Sequence, residues 1–389
     1  MEIRQLLHNE FEASINLSEY AFQYTLSDKA RERAQKRFKP ERVWGIFDEG
    51  VLGAKLTLLP LEVYIQGKTV PMGGIAGVAT WPENRRQGLV AKLLTHALER
   101  MNELGQLLSF LHPFNIPFYR KFGWEIYCEY KKYTIPVANL PVKTVIEGKV
   151  KRDANDIGLM SLLYTEFASK YNGVLNRSQE WWEQSVVDED GHDVVFYSAL
   201  GKPEGYVLYK IEKKELIIDE FVYLNEQARR GLWTFISNHD SMVNQVSLKM
   251  VPADDILPFL LPDPRIPQEN FPYFMGRIVN AKAFIEGFSF AAGAQGKVTL
   301  HIKDDYAPWN AGLWEWSLSE EGQSSLIKVE GDSKDADLSC DIGALTVLLL
   351  GYKRPEEMYR YGGLSGNPAA VSWLEKAVPC SPTALFDFF

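Results

Sequence analysis

The first part of the chain alternates short apolar runs with amphipathic ones. Residues 10–38 are mostly polar with spaced apolar positions and predict one or two helices. Two β-rich runs at 43–48 and 51–67 flank a Glu-Gly pair, which predicts a hairpin, and a third β-rich run follows at 71–82. Residues 89–104 carry apolar positions spaced by three and four, which is typical of an amphipathic helix. The series is predicted to end with a buried strand (107–112), a short helix (115–123) and one last strand (124–136).

Residues 150–280 repeat this order of elements at low sequence similarity. The second copy keeps an Arg229-Arg230-Gly231 step but lacks the FYRKFG segment of the first, so we interpret it as a duplicated scaffold without chemistry. From about residue 282 strands and helices follow in a different order, which predicts a third, α+β domain, and the proline-rich residues 258–272 are predicted to be a linker. The predicted fold is therefore α/β and α+β, with domains at 1–148, 149–281 and 282–389.

Composition narrows the classes of protein that fit this pattern. The chain has 389 residues, of which 46% are hydrophobic and 24% charged, as in ordinary globular domains. A net charge of -9 argues against a general nucleic-acid binder and suits a cationic partner better. The three scattered cysteines have no metal-ligand spacing, so neither disulfides nor a metal site are predicted. Without an apolar leader or a long apolar run, the chain is expected to be cytoplasmic and to have no membrane partner.

A loop with the sequence RRQGLV stands between the third predicted strand and the amphipathic helix. It comprises Arg85, Arg86, Gln87, Gly88, Leu89 and Val90. The N–H groups in the first turn of a helix are unpaired and the helix dipole is positive there, so an anion is stabilised at this place. A glycine lets the backbone approach the anion and the arginines add charge-assisted hydrogen bonds, which predicts a pyrophosphate site. The alternative is an ordinary exposed arginine pair in front of a helix.

The order strand, RRQGLV loop, helix, strand and FYRKFG segment resembles the GNAT family of acetyl-coenzyme A-dependent N-acetyltransferases. The loop pattern of that family is Q/R-x-x-G-x-G/A, and Arg85, Gly88 and Val90 hold the three marked positions, Val90 departing from the final Gly or Ala. The R-R-x-G-L-x variant, the FYRKFGW segment, the degenerate second copy and the third domain resemble more closely the enhanced intracellular survival (Eis) group within GNAT.

This resemblance implies two tandem GNAT-like domains, the second degenerate, and a C-terminal sterol-carrier-protein-like domain. It implies acetyl-coenzyme A as the co-substrate, with the strand before the loop hydrogen-bonded to the pantetheine at Val78, Ala79 and Thr80. Phe114 and Asn115 match the positions that contact the coenzyme from the later strand end. The family pattern also implies a homo-oligomer, a hexamer.

Acetyl transfer needs an acid for the departing thiolate and a base for the attacking ammonium. Tyr119 is the candidate acid, and the alternative for Tyr119 is aromatic packing at the sheet edge. The sequence ends in SPTALFDFF, an apolar tail that is predicted to dock. The Eis resemblance implies that the α-carboxylate of Phe389 is the base, whereas spacing alone favours a tail that only seals the third domain. His112 and the tryptophan pairs 181–182 and 314/316 are interpreted as structural.

Together these observations predict an N-acetyltransferase that acts on an amine of a cationic small molecule, and the resemblance suggests aminoglycosides or similar polyamines. Two alternatives remain open. A lipid-binding carrier with a vestigial GNAT part predicts an apolar tunnel and no coenzyme binding. A protein lysine acetyltransferase predicts an open groove in place of a deep pocket.

Overall fold

The computed structural model describes residues 1–188, 190–331 and 333–389. The first unit contains β1 (Glu2–Gln5), α1 (Phe11–Phe22), α2 (Asp28–Arg37), β2 (Val43–Asp48), β3 (Val51–Ile65), β4 (Lys68–Thr80), α3 (Leu89–Glu103), β5 (Leu108–Leu111), α4 (Ile116–Arg120) and β6 (Glu125–Ile126). The predicted pair of helices, the hairpin of β2 and β3 and the amphipathic helix α3 are therefore confirmed. The strand β1 was not predicted.

The second unit repeats this order. It contains β7 (Glu129–Pro136), β8 (Gly148–Arg152), α5 (Ile157–Ala168), α6 (Gln179–Trp181), β9 (His192–Ser198), β10 (Pro203–Glu212), β11 (Glu215–Tyr223), α7 (Glu226–Ser237), β12 (Gln245–Pro252), α8 (Leu257–Leu260), β13 (Gln268–Pro272) and β14 (Met275–Ile278). In both units one helix, α3 or α7, crosses between two parallel strands, β4 and β5 or β11 and β12. This shared crossover is the repeat that the sequence predicted.

The third unit is an α+β domain. It contains α9 (Ala281–Gly287), β15 (Gly296–Lys303), β16 (Gly312–Leu318), β17 (Ser324–Val329), β18 (Leu338–Asp341), α10 (Ile342–Leu350), α11 (Pro355–Arg360), β19 (Ser365–Gly366) and α12 (Pro368–Ala377). Its five strands form one sheet in the order β17-β16-β15-β18-β19. Every residue of α10 is buried, because this apolar helix packs against both the third unit and the strands β14 and β6 of the first sheet.

The second unit contributes one strand, β14, to the sheet of the first unit. The first sheet has the order β1-β2-β3-β4-β5-β14-β6, and the second has the order β13-β7-β12-β11-β10-β9-β8. The single last strand predicted at 124–136 is therefore wrong, because the chain passes from one sheet to the other between β6 and β7. The predicted linker at 258–272 is wrong for its last part, since β13 pairs with β7 along the edge of the second sheet. The domain boundaries at 148/149 and 281/282 stay predictions.

A buried ion pair ties β14 to the third unit. Arg277 donates from one guanidinium nitrogen to both carboxylate oxygens of Asp304 at 2.7 Å, and it also donates to the carbonyl of Phe122. The side chains of Arg277 and Asp304 are 0% and 1% exposed. Asn310 donates a further hydrogen bond to Asp304 at 3.0 Å. These bonds compensate two charges that would otherwise be stranded in the core.

No helix in the described ranges is long and apolar enough to cross a membrane. The longest, α3, has fifteen residues and a polar outer face. Its buried positions are Leu89, Leu93, Leu94, Ala97, Leu98 and Met101, and they pack against the first sheet. The spacing of these positions is the amphipathic pattern that the sequence predicted.

We expect Arg277→Leu to destabilise the protein by about 3–5 kcal/mol, because it leaves the Asp304 carboxylate buried without its cation. Chemical denaturation measures the change. The control is Arg265→Ala, since Arg265 is 87% exposed and its pair with Asp263 is screened by water, so we expect little change in stability. Equal stability of the two variants would contradict a structural role for the buried pair.

Candidate active site

A wedge opens in the first sheet where β4 and β5 separate. The two strands pair in parallel from Met72 opposite Leu108 to Ile75 opposite Leu111, and the pairing ends there. Beyond Ile75, β4 continues to Thr80 paired with β3, while the chain after β5 turns away into α4. On the β3 side the register shifts, and Gly77, with φ of 57°, lies in a bulge. A bulge at such a separation leaves backbone groups of β4 without a neighbouring strand.

The wedge brings together the residues that the sequence assigned to the coenzyme. Val78, Ala79 and Thr80 lie on β4 along one side. Phe114 and Asn115 lie on the opposite side, where the Asn115 side chain caps α4 by accepting a hydrogen bond from the N–H of Phe118 at 2.9 Å. The hydroxyl of Thr80 is buried and has no hydrogen-bond partner in the part of the chain that the structure describes. An orphaned buried hydroxyl is a site where a ligand can supply the missing bond.

The arginine loop lies next to the wedge and leads into α3. The helix begins at Leu89, and Gly88 in front of it has φ of 76° and provides no side-chain cap. The N–H groups of the first turn therefore stay free for a ligand. Arg85 and Arg86 are exposed and form no ion pair with any described residue. Gln87 is held by a hydrogen bond to the carbonyl of Glu83 at 3.0 Å. Free N–H groups and two free guanidinium groups fit a pyrophosphate.

Tyr119 lies on α4, in the aromatic lining of the first core. It is 2% exposed, and its ring contacts Phe114 and Phe118 with centroids 5.3 and 5.2 Å apart. Its hydroxyl has no hydrogen-bond partner among the described residues. Burial raises the pKa of Tyr119 well above its ordinary value, so the phenol stays protonated through the neutral range. The geometry provides a protonated hydroxyl whose hydrogen is not committed to another protein group.

The last residues of the sequence reach the same sheet. A Cβ at Gly74 of β4 would lie 2.9 Å from the Phe389 ring, so only glycine leaves room for this contact. The Phe389 ring also lies 4.7 Å from that of Phe274, and the Phe388 ring lies 5.0 Å from that of His112, just after β5. Leu385 packs in the cluster shared with the third unit, as the structural alternative predicted. The two final phenylalanines, however, lie against both strands that border the wedge.

Buried polar bonds hold this tail in place. Asp387 accepts hydrogen bonds from Arg177 at 2.9 Å and from the Trp181 indole at 2.8 Å. Its backbone carbonyl accepts a further bond from the Tyr273 hydroxyl at 2.8 Å. The sequence interpretation of Trp181 as structural missed this contact. The aspartate inside the otherwise apolar FDFF segment was the signal that could have revealed it.

A second feature that sequence reasoning missed is a cavity of about 380 Å³ beside the tail. It lies between α1, α2, β3 and residues 178–185 of the second unit. We call it the basic cavity, since its lining includes Arg37, Lys39, Arg42 and Lys55. Leu61 and Trp181 line it and also flank the Phe389 ring. The basic cavity and the wedge therefore meet across β3 and β4.

Comparisons with known proteins agree with this geometry. A family model described as an acetyltransferase (GNAT) domain matches residues 2–127, and a second with the same description matches residues 173–278. A sterol carrier protein domain matches residues 281–385. The two GNAT matches together span more than half of the chain. The chain belongs to the GNAT acetyltransferases.

Individual GNAT relatives extend the match along the chain. An uncharacterised N-acetyltransferase of Streptomyces griseus is 24% identical over 366 residues, 87% of this chain and 86% of the relative. The N-acetyltransferase Eis of Mycobacterium tuberculosis is 24% identical over 253 residues, 60% of this chain and 61% of Eis. A crystal structure from Enterococcus faecalis, described as a probable N-acyltransferase, matches with a TM-score of 0.93 at 29% identity, covering 100% of this chain and 99% of that one. The chain is thus an Eis-like GNAT acetyltransferase.

The Arg-Arg-Gly sequence of the second GNAT unit lies at a different place in the fold from the RRQGLV loop of the first unit. Arg229 and Arg230 lie inside α7, and both bind the carboxylate of Glu226. A Cβ at Gly231 would lie 2.6 Å from Ile146 and from Phe196, so this glycine allows close packing of the helix on its sheet. Neither arginine is free at a helix start. These contacts are those of a scaffold and agree with our interpretation of the second copy.

We expect the double variant Arg85→Ala/Arg86→Ala to bind acetyl-coenzyme A more weakly, by roughly 1.5–3 kcal/mol for each charged hydrogen bond lost. Isothermal titration calorimetry measures the affinity. The matched control is Arg230→Ala/Arg265→Ala, which removes the same charge from two exposed sites in the second unit. Unchanged affinity in the loop variant would remove the pyrophosphate assignment, and an equal loss in the control would reduce the effect to net charge.

Proposed function

We propose that this chain transfers an acetyl group from acetyl-coenzyme A to an amine of a small molecule that binds in the basic cavity. The observation that carries the proposal is the position of the β4 bulge. Gly77 lies at the open end of the wedge, and Thr57, whose hydroxyl would lie 3.4 Å from a Cβ at Gly77, lines the basic cavity from β3. A coenzyme in the wedge and an amine in the cavity would therefore meet at this bulge.

Acetyl-coenzyme A supplies the thioester that is cleaved. The free N–H groups at the start of α3, together with Arg85 and Arg86, would hold its pyrophosphate. The backbone of Val78 to Thr80 would bind the pantetheine, with Phe114 and Asn115 on the other side of the wedge. Gln87, Gly88, Leu89 and Val90 complete the loop, and Gly88 supplies the left-handed turn that it needs.

We propose Tyr119 as the general acid. Its hydroxyl donates a hydrogen bond to the sulfur as negative charge develops there, and this interaction is stronger in the transition state than before it. A phenol is a weaker acid than a thiol, and burial makes the Tyr119 phenol a weaker acid still. Full proton transfer from the phenol to the sulfur is therefore unfavourable by itself and must be coupled to the return of a proton to the phenol. The attacking amine releases that proton as the new amide forms.

We propose the main-chain carboxylate of Phe389 as the general base. Support comes from the position of the Phe389 side chain, which lies on β4 at Gly74, three residues before the bulge. A carboxylate is an acceptor for the proton that the attacking ammonium must lose. Asp387 fixes the tail through Arg177, so the distance from the base to the bulge does not depend on a mobile segment.

Two other candidate functions have less support. A protein lysine acetyltransferase would need an open groove. The basic cavity is instead bounded by α1, α2 and β3 of the first unit and by residues 178–185. The lipid carrier predicts an apolar tunnel in the third unit, whereas α10 and the 0% exposed Trp316 fill that interior with side chains. A cationic, aminoglycoside-like acceptor, a homo-oligomer and a cytoplasmic location remain predictions of the sequence.

An acetyl-coenzyme A turnover assay across a panel of amines tests the function. Release of the free thiol reports the reaction whichever amine is the acceptor, and mass spectrometry identifies the acetylated product. The panel should contain amino acids, aminoalkyl phosphates, neutral amines, polyamines and aminoglycosides. Coenzyme binding without acetylation of any of these would contradict the proposed transfer to a small-molecule amine.

We expect Tyr119→Phe to lower kcat by about a hundredfold or more with little change in the affinity for acetyl-coenzyme A, because the lost hydrogen bond acts in the transition state. Steady-state kinetics and calorimetry separate the two effects. Phe118→Leu, which changes a neighbouring ring without removing a hydroxyl, is the control for packing. Turnover equal to that of the unmodified protein would mean that Tyr119 only packs.

We expect a semisynthetic protein with a carboxamide at Phe389 to fold and bind acetyl-coenzyme A but to lose about two to four orders of magnitude in kcat, because an amide cannot accept the proton. The amide and the carboxylate have nearly the same size, so the comparison isolates the charge. The control is the same ligation that restores the free acid. Comparable rates for the two forms at neutral pH would leave the tail as core packing.

A further inference from the structure

The charges of the basic cavity differ from those of the whole chain. The chain has a net charge of -9, yet the described residues that line the cavity include four cations and one carboxylate. That carboxylate, Glu180, is bound to Lys39 at 2.6 Å. Arg37, Arg42 and Lys55 form no ion pair with a described residue. Even with the Phe389 carboxylate counted, the cavity has more positive groups than negative ones.

Lys55 is the least solvated of these cations. It lies in the first half of β3, opposite Ala79 of β4 and beside the bulge. The residue is 5% exposed, and its ammonium donates one hydrogen bond, to the Ser14 hydroxyl on α1 at 2.7 Å. An ammonium has three donors, so two of them are left for another partner. Burial lowers the pKa of Lys55 to about 8, which leaves it mainly charged at neutral pH.

Burying a cation without a counter-ion costs free energy, and such a group in a protein is ordinarily paired with an anion or neutralised. The structural explanation for Lys55 would need a carboxylate beside it, and the described residues provide none. The other explanation is that the counter-ion comes with the substrate. Lys55 is buried, Arg42 is half-buried, and Arg37, at the end of α2, is exposed. These three cations give a path of positive charge into the cavity.

We infer that the acceptor amine carries an acidic group, a carboxylate or a phosphate, which binds to Lys55 and Arg42 while the amine faces the β4 bulge. This inference rests on the proposed function and names the substrate class of the same site. A polycationic acceptor would place like charges beside three free cations, which is unfavourable in a poorly solvated cavity.

The cations hold the acidic group, and the bond changes take place at the amine, which arrives as an ammonium and must first lose a proton. Only the neutral amine has the electron pair that attacks the thioester carbon. The proton goes to the base, the new nitrogen–carbon bond forms as the carbon–sulfur bond breaks, and the sulfur leaves as the thiol after it receives a proton.

Matched acceptor pairs test the inference. β-Alanine is compared with its carboxamide, and phosphoethanolamine with ethanolamine, so that each pair differs in the acidic group. We expect kcat/KM to be at least tenfold higher for one of the two acids than for its neutral partner, and which pair shows the preference distinguishes carboxylate from phosphate. An aminoglycoside and spermidine are the cationic comparisons, and we expect both to react more slowly than the preferred acid.

Two variants assign the preference to the cavity. Lys55→Met keeps an unbranched side chain without the charge, and we expect KM for the preferred acid to rise at least tenfold while the neutral partner reacts as before. Arg42→Gln changes a half-buried group at the rim and should act in the same direction, so the test does not depend on one buried substitution. The control is Lys249→Met, because Lys249 is 47% exposed and pairs with Asp219 in the second unit.

The outcomes separate the inference from the proposed function. Acetylation of neutral or polycationic amines with equal or higher kcat/KM would overturn the acidic acceptor and leave acetyl transfer standing. A fall in kcat with Lys55→Met for every acceptor, neutral ones included, would also overturn it, because Lys55 would then serve the reaction itself. If no amine is acetylated, calorimetry with inorganic phosphate and succinate decides, and anion binding that is unchanged in Lys55→Met overturns the inference.

Discussion

The buried ion pair between Arg177 and Asp387 is the interaction that fixes the last residues of the sequence against the first two units. The two side chains are 2% and 4% exposed. Glu220 binds other nitrogens of the same guanidinium group, at 2.6 Å. Asp387 also accepts a hydrogen bond from the Trp181 indole, so the tail cannot leave without breaking several buried hydrogen bonds. The two residues after Asp387 lie on the first sheet because of this anchor. The base that we propose at Phe389 would therefore have a fixed position.

The anchor explains what a second GNAT unit without its own loop chemistry contributes. Arg177 and Trp181, which hold the tail, belong to that unit, and residues 178–185 form one wall of the basic cavity. The two units are also joined by β14 of the second unit, which lies between β5 and β6 in the first sheet. The first unit therefore has the wedge, and the second unit supplies the support for the tail and part of the wall of the basic cavity.

Local patterns in the sequence predicted the parts of the site that form locally. The apolar spacing of α3 and the Gly88 turn depend on neighbours within a few residues, and both were read correctly. The partner of a strand depends on residues far along the chain, so the split between β6 and β7 and the pairing of β13 were missed. Lys55 was missed for the same reason. A lysine in an apolar strand can reach solvent at an edge or be buried, and only the position of α1 decides.

The net charge of the whole chain and the charge of the basic cavity have opposite signs. In physiological salt the field of an exposed charge falls off over about 8 Å, so surface carboxylates across the molecule add little to a cavity between helices and a sheet. Inside that cavity the solvent screens less, and Lys55 and Arg42 dominate because they are close. In the proposed complex this closeness lets Lys55 and Arg42 bind the acidic end of the acceptor, whereas a polyamine would meet their repulsion.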